Sequence, residues 1–320
     1  MSHFDIIFLA LVLDAAVGDP DWLWRRVPHP VTLFGWAIDR ADAAWNGPKT
    51  PDAAKRGFGT AVVAAGCAVL MLVGAILATI LAVAPLGWVV TAVVVATLVA
   101  QRDLYDHVAA VRAALRRDDL DGARAAVSRI VGRDPSELDE AGVSKAAIES
   151  LAENFSDAVV APVFWFAVLG LPGLLAYKFV NTADSMIGHR SERYREFGWA
   201  AARLDDLLNF IPARLSAALI TAAAYVSRRD AEEAWSAARL EGRKHVSPNA
   251  GWPEAAMAGA LGIALGGPRS YDGEFVDGAT MNEFGREDVT GEDIGAALTL
   301  FLIACAIHAA AYVLFGFAFG

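Results

Sequence analysis

Glu149, Glu153 and Asp157 stand four residues apart in the stretch ESLAENFSDAVVAP, residues 149–162. On a helix this spacing lines three carboxylates along one stripe. Like charges so placed oppose helix formation by roughly 0.2–0.5 kcal/mol per pair, so something must offset them. Solvent, Lys or Arg partners, or a divalent cation would do so. Mg²⁺ takes one or two carboxylates together with phosphate oxygens and water. Arg133, Lys145, Lys178, Arg203 and Arg214 are cations suited to a phosphate or carboxylate. Together these are the components of a Mg-nucleotide site or of a structural salt-bridge network, and residue types alone leave both open.

Other polar clusters abut apolar blocks in the same way. LDAAVGDPDW carries Asp14 and Asp19, and RVPHPVTLFGW carries His29. YKFVNTADSMIGHR brings Lys178, Asn181, Asp184 and Ser185. ARLDDLLNFIPAR brings Arg203, Asp205, Asp206, Asn209 and Arg214, and SPNAGWPEAAM offers Asn249 and Glu254. Ionisable groups at membrane depth are costly and usually face a cavity or a partner. One such cluster reads equally well as a solvated helix end. The whole set reads as a polar cavity at the cytoplasmic boundary, lined by several helix ends. No phosphate-binding G-x-x-x-x-G-K-[ST] loop occurs. DGAR at 121–124 lies in an amphipathic segment with the wrong spacing for a phosphotransferase box. The six His show no paired ligand spacing, and Cys67 and Cys305 sit inside apolar runs as packing residues.

The elements that must position these groups are membrane helices. The chain has 320 residues and is 56% hydrophobic. Residues 60–100 carry no charge, about twice the roughly 20 residues needed to cross a bilayer, with a turn at APLGW. They predict a transmembrane hairpin, 59–83 and 87–101. Residues 294–320 form another span. Residues 4–18 lack the basic start of a signal peptide and read as a mature membrane helix. Residues 158–177 and 208–226 are further candidates. GLPG at 170–173 splits the first of these into halves, so 158–187 is either one kinked span or a re-entrant pair. GALGIALGG at 259–267 has the glycine spacing of close helix packing. The expected fold is an all-α polytopic membrane protein of about 4–6 transmembrane or re-entrant helices with cytoplasmic helical segments.

Residues 1–320 read as one membrane-embedded catalytic domain. Within it, 103–148 is an amphipathic helical hairpin, with stripes Leu104, Val108, Val111, Leu115 and Leu120, Ala123, Val127, Ile130. Residues 227–294 are a polar helical and irregular segment. Lys and Arg near the spans place 18–58, 102–148 and 227–294 in the cytoplasm. The net charge of −10 says little about partners, and no basic aromatic patch points to nucleic acid. No internal repeat is present, which counts against a secondary transporter.

AAIESLAENFSDAVVAPVFWF, YKFVNTADSMIGHRSERYREFGWAAARLDDLLNFIPAR and HVSPNAGWPEAAMAGAL, with LDAAVGDP and VPHPV near the start, resemble the adenosylcobinamide-phosphate synthase family of cobalamin biosynthesis (CbiB, also called CobD). The resemblance covers essentially the whole chain in order. It implies ATP- and Mg²⁺-dependent ligation of (R)-1-amino-2-propanol or its O-phosphate to the f-propionate of adenosylcobyric acid. The carboxylate would be activated by ATP as an acyl phosphate and then attacked by the amine. For that reaction, residue type alone suggests that Glu149, Glu153 and Asp157 would be catalytic and that metal would fall to Glu153, Asp157, Asp184, Asp205, Asp206, Asp14 and Asp19. Lys178, Arg203 and Arg214 would bind phosphates, while Asn154, Asn181, Ser185 and Asn249 would orient polar groups. His29 or Glu254 would accept the amine proton. Partners are the corrinoid, the amine, the lipid bilayer, and either a second copy or other cobalamin-pathway enzymes. The active site is expected on the cytoplasmic side of the inner membrane. Two places depart from the family pattern: His189 in GHR, and residues 268–286, from which no site residue is taken. The alternatives are a membrane carrier for a corrinoid or small solute, and a scaffold for other enzymes.

Overall fold

A computed structural model describes residues 2–132, 134–189, 191–267, 269–271, 274–276 and 278–319. Arg133, named above as a cation, lies outside the described residues. The elements in chain order are α1 (His3–Val17), α2 (Asp21–Trp24), α3 (Pro30–Trp45), α4 (Asp52–Val83), α5 (Gly87–Ala96), α6 (Gln101–Leu115), α7 (Leu120–Val127) and α8 (Glu140–Asn154). A π-helical turn (Phe155–Val160) follows, then α9 (Ala161–Ile187), α10 (Trp199–Leu208), α11 (Phe210–Val226), α12 (Ala231–Leu240) and α13 (Gly251–Leu261). Four short strands, β1 (Leu265–Gly266), β2 (Arg269–Tyr271), β3 (Glu274–Val276) and β4 (Thr280–Met281), precede α14 (Gly291–Phe319). Among the described residues, four helical stretches are long and apolar enough to cross a membrane: Asp52–Val83, Gly87–Leu115, Glu140–Ile187 and Gly291–Ala318. The bent pair α10 and α11 makes a fifth if it is one crossing. The chain is an all-α polytopic membrane protein, as its sequence predicts.

The packing divides into two compact units. The first holds residues 1–100, 161–209 and 312–320. Here α4 lies along α9, α1 pairs with α5, and α3 and α10 also pack on α9. Gly74 lets α4 approach closely, since a Cβ there would sit 2.6 Å from the Pro172 nitrogen. The other side of α4 exposes Val69, Leu72, Ile76 and Ile80, a surface fit for lipid. GLPG does break the helix. Gly170 has φ +65° and ψ −152°, open essentially to glycine alone, and Pro172 follows in the first turn of the second half. α1 has 15 residues, about 22 Å at 1.5 Å per residue, shorter than the ~30 Å apolar layer. The membrane helix expected over 4–18 is therefore not a full crossing by length.

The second unit holds residues 101–160 and 210–311. α6 and α7 form the expected hairpin, with Leu104, Val108, Val111, Leu115, Ala123 and Val127 buried. Its turn places Asp118 at φ +55° and uses Asp119 as N-cap, accepting from the Gly122 N–H. The pair ends at Val127, and α8 opens separately on the Asp139 cap. α11, α12 and α13 pack mutually, and α13 is almost wholly buried. The GALGIALGG glycines divide their work. Gly259 lies where α13 meets α12, whereas Gly262 adopts φ +65° and ends the helix. Beyond it the chain is a β-turn region, with β1 pairing β4, and no longer the packed helix its glycine spacing suggests.

Candidate functional site

In the first unit, Tyr177, Asn181 and Asp184 recur at i, i+4 and i+7 on the second half of α9, and Gly188 follows just past its end. α10 packs against α9 and brings Asp205, Asp206 and Asn209. The Tyr177 hydroxyl donates to Asn209 Oδ1 at 2.9 Å, and Asn209 Nδ2 donates to Asp205 Oδ2 at 2.9 Å. This buried relay fixes the Asp205 carboxylate. Its other oxygen, Oδ1, is buried with no hydrogen-bond partner among the described residues. Asp184 and Asp206 add negative charge beside it, and Asn181 also faces it. Arg203 reaches Asp206 at 3.6 Å. Lys178 is buried on α9, and the Ser185 hydroxyl is turned back onto the Asn181 carbonyl at 2.9 Å. A cavity of about 190 Å³ opens next to this cluster, lined by His189, Tyr194, Arg195, Arg203 and Asp206.

The remaining first-unit candidates lie on α1 and the segment between α1 and α3. Asp14 is buried on α1 and Asp19 accepts from Trp24 Nε1 at 3.2 Å. His29 caps α3, accepting from the Val31 N–H at Nδ1 and meeting the Thr97 carbonyl at 3.0 Å through Nε2. These contacts assign the Nε2–H tautomer and occupy both ring nitrogens.

In the second unit the carboxylate stripe fans out. Glu149 is buried and accepts from the Gly266 N–H at 2.7 Å, whereas Glu153 is exposed. Asp157 falls in the π-helical turn and is half-buried. Asn154 donates to the Ser150 carbonyl at 2.9 Å, one turn back. Among the described residues, no group of three or more His, Cys, Asp or Glu has the geometry to hold a metal ion by itself.

The motif HVSPNAGWPE forms a second locus in this unit. Asn249 Oδ1 accepts from Arg214 Nη1 at 2.6 Å. Glu254, 2% exposed, lies 3.8 Å from His245 Nε2. His245 Nδ1 accepts the Ser247 N–H at 3.1 Å, so its Nε2–H side turns to Glu254. A further cavity of about 650 Å³ is lined by Arg228, Arg229, Asp230, Glu233, Asn282 and Phe284.

Several of these residues escape sequence reasoning. Tyr177 is signalled only by its i, i+4, i+7 register with Asn181 and Asp184. His245 lies nine residues from Glu254, and the turn that folds it back has no regular period. Arg228, Arg229 and Phe284 line one cavity from sequence-distant turns.

The CobD/Cbib protein family matches residues 7–301. Cobalamin biosynthesis protein CobD of Rhizobium meliloti (strain 1021) is 56% identical over 313 residues, 96% of this chain and 95% of that protein. The CobD protein of Brucella anthropi is 52% identical over 301 residues, covering 92% of this chain and 91% of its own. That of Rhodobacter capsulatus is 48% identical over 274 residues, covering 85% and 84%. No solved structure matches the chain. A match running from α1 into α14, through both polar loci, assigns the chain to the CobD/CbiB family.

Proposed function

We propose that this protein is the ATP-dependent amide ligase of cobalamin biosynthesis, joining (R)-1-amino-2-propanol or its O-phosphate to the f-propionate of adenosylcobyric acid. The observation that carries this is the family match over residues 7–301, which takes in every polar cluster described above. ATP would supply the phosphoryl group that makes the carboxyl oxygen a leaving group. The amine nitrogen then bonds to the carbonyl carbon, phosphate departs with that oxygen, and the ammonium proton passes to a base.

The residues present fit these groups. Mg²⁺ delivered with phosphates needs only one or two carboxylates. Asp205 offers a buried oxygen with no partner among the described residues, with Asp184 beside it, so these two would hold the ion. Arg203 and Lys178 stand on the same two helices as phosphate partners. In the second unit Arg214 and Asn249 would bind anionic or polar substrate groups. Of the two candidate bases, Glu254 suits proton transfer better. It faces the Nε2–H side of His245, while His29 uses Nδ1 on the α3 cap and Nε2 on the Thr97 carbonyl. Glu153 and Asp157 remain candidates for metal or catalysis by their helical spacing, and Glu149 supports the 265–266 backbone.

The test is reconstitution. Purified protein with ATP, Mg²⁺, adenosylcobyric acid and either amine is expected to yield the amide by mass spectrometry. Corrinoid movement into proteoliposomes with no nucleotide consumed and no covalent product would favour the carrier instead.

A further inference from the structure

Arg214 is held on α11 with unusual completeness. Its guanidinium stacks on Phe210 at 3.9 Å and on Trp252 at 4.6 Å from the ring centres. Nη1 donates to the Phe210 carbonyl at 2.9 Å and to Asn249 Oδ1 at 2.6 Å, and Nη2 donates to the Pro248 carbonyl at 3.2 Å. A guanidinium has five N–H donors. Three are used here, which leaves Nε–H and one Nη2–H without an acceptor among the described residues. Those two donors belong to the planar fork that matches two oxygens of a phosphate or carboxylate.

A second cation stands close by. Arg243 lies 5.9 Å from the same Trp252 ring and is exposed. The two positive charges repel across the ring. Neither guanidinium has a carboxylate within ion-pair distance among the described residues. The Trp252 indole N–H is buried and also lacks an acceptor there. Two like charges held on one aromatic ring, facing no anion, carry a repulsion that a bound anion would relieve.

We propose that Arg214 and Arg243 form a clamp for a phosphate group over the edge of Trp252, with Asn249 fixing the Arg214 fork and Arg243 supplying the second charge. The reading of the protein as a ligase gives this clamp two phosphate-bearing substrates to hold, the nucleotide and the amine O-phosphate; a lipid headgroup carries the same chemistry. The rigid fork of Arg214 would set the orientation. The exposed Arg243 would cover the phosphate from the solvent side.

The experiment begins with inorganic pyrophosphate binding to delipidated, detergent-solubilised full-length protein, by titration calorimetry. Arg243→Glu is the main variant because Arg243 is exposed and its loss leaves the packing intact. Arg243→Glu is expected to weaken pyrophosphate binding by at least about tenfold, or about 1.4 kcal/mol, and Arg243→Lys to restore most of it. Equal binding by wild type and Arg243→Glu overturns the clamp. Steady-state kinetics then name the source. A raised KM for ATP alone assigns the clamp to the nucleotide, and a raised KM for aminopropanol O-phosphate but not for aminopropanol assigns it to the amine. Loss of phosphatidylglycerol binding, with both KM values unchanged, assigns it to lipid. If wild type makes no amide yet binds pyrophosphate in an Arg243-dependent manner, the ligase reading fails and the clamp stands.

Discussion

At the scale of single residues, Glu254 carries the sharpest chemical expectation. A carboxylate 2% exposed beside His245 has the surroundings of a proton acceptor. Glu254→Gln is expected to lower kcat by ~10²–10⁴-fold with little change in KM for any substrate, read from initial rates of amide formation. An unchanged kcat would remove Glu254 from the proton path. Tyr177 makes a structural prediction. Tyr177→Phe leaves a buried Asn209 oxygen unsatisfied, and thermal unfolding in detergent should show a loss of ~1–3 kcal/mol. Much of this was legible in residue types: Asp205, Arg214, Asn249 and Glu254 all announce themselves as polar groups beside apolar runs. Their partners were not, because Tyr177 and His245 act through contacts that depend on helix register and a folded-back turn.

At the scale of elements, the decisive feature is the break in α9. GLPG reads as a helix interruption because glycine permits the Gly170 backbone and Pro172 lacks a donor. Gly170→Ala should cost ~1–3 kcal/mol, since its φ and ψ are closed to other residues, and detergent thermal unfolding measures this. The π-helical turn at Phe155–Val160 has no such cue, because FSDAVV is compatible with ordinary α-helix. That turn takes Asp157 off the expected carboxylate stripe, while on α8 before it Glu149 is buried and Glu153 exposed. The glycines of 259–267 show the converse limit. Regular spacing predicts helix packing, but Gly262 ends the helix by its left-handed backbone.

At the scale of the whole molecule, hydropathy alone reveals a polytopic membrane protein, because a chain crossing lipid must satisfy its backbone internally. Membrane orientation follows from Lys and Arg near the spans. Single cysteines at Lys49, Glu137 and Glu232, all exposed, should label only from the cytoplasmic side after Cys67 and Cys305 are replaced. Labelling of any of the three from the outside would reverse that segment's placement. The division into two compact units built from interleaved segments is not visible in composition, because the boundary between residues 160 and 161 falls inside one continuous helical stretch, Glu140–Ile187. The most direct test of the ligase account uses adenosylcobyric acid labelled with ¹⁸O in its free carboxylate, incubated with protein, Mg²⁺, ATP and aminopropanol O-phosphate. The account predicts adenosylcobinamide phosphate with one ¹⁸O transferred to inorganic phosphate for each amide formed; no amide, or an amide whose lost ¹⁸O appears in AMP or water, would contradict it.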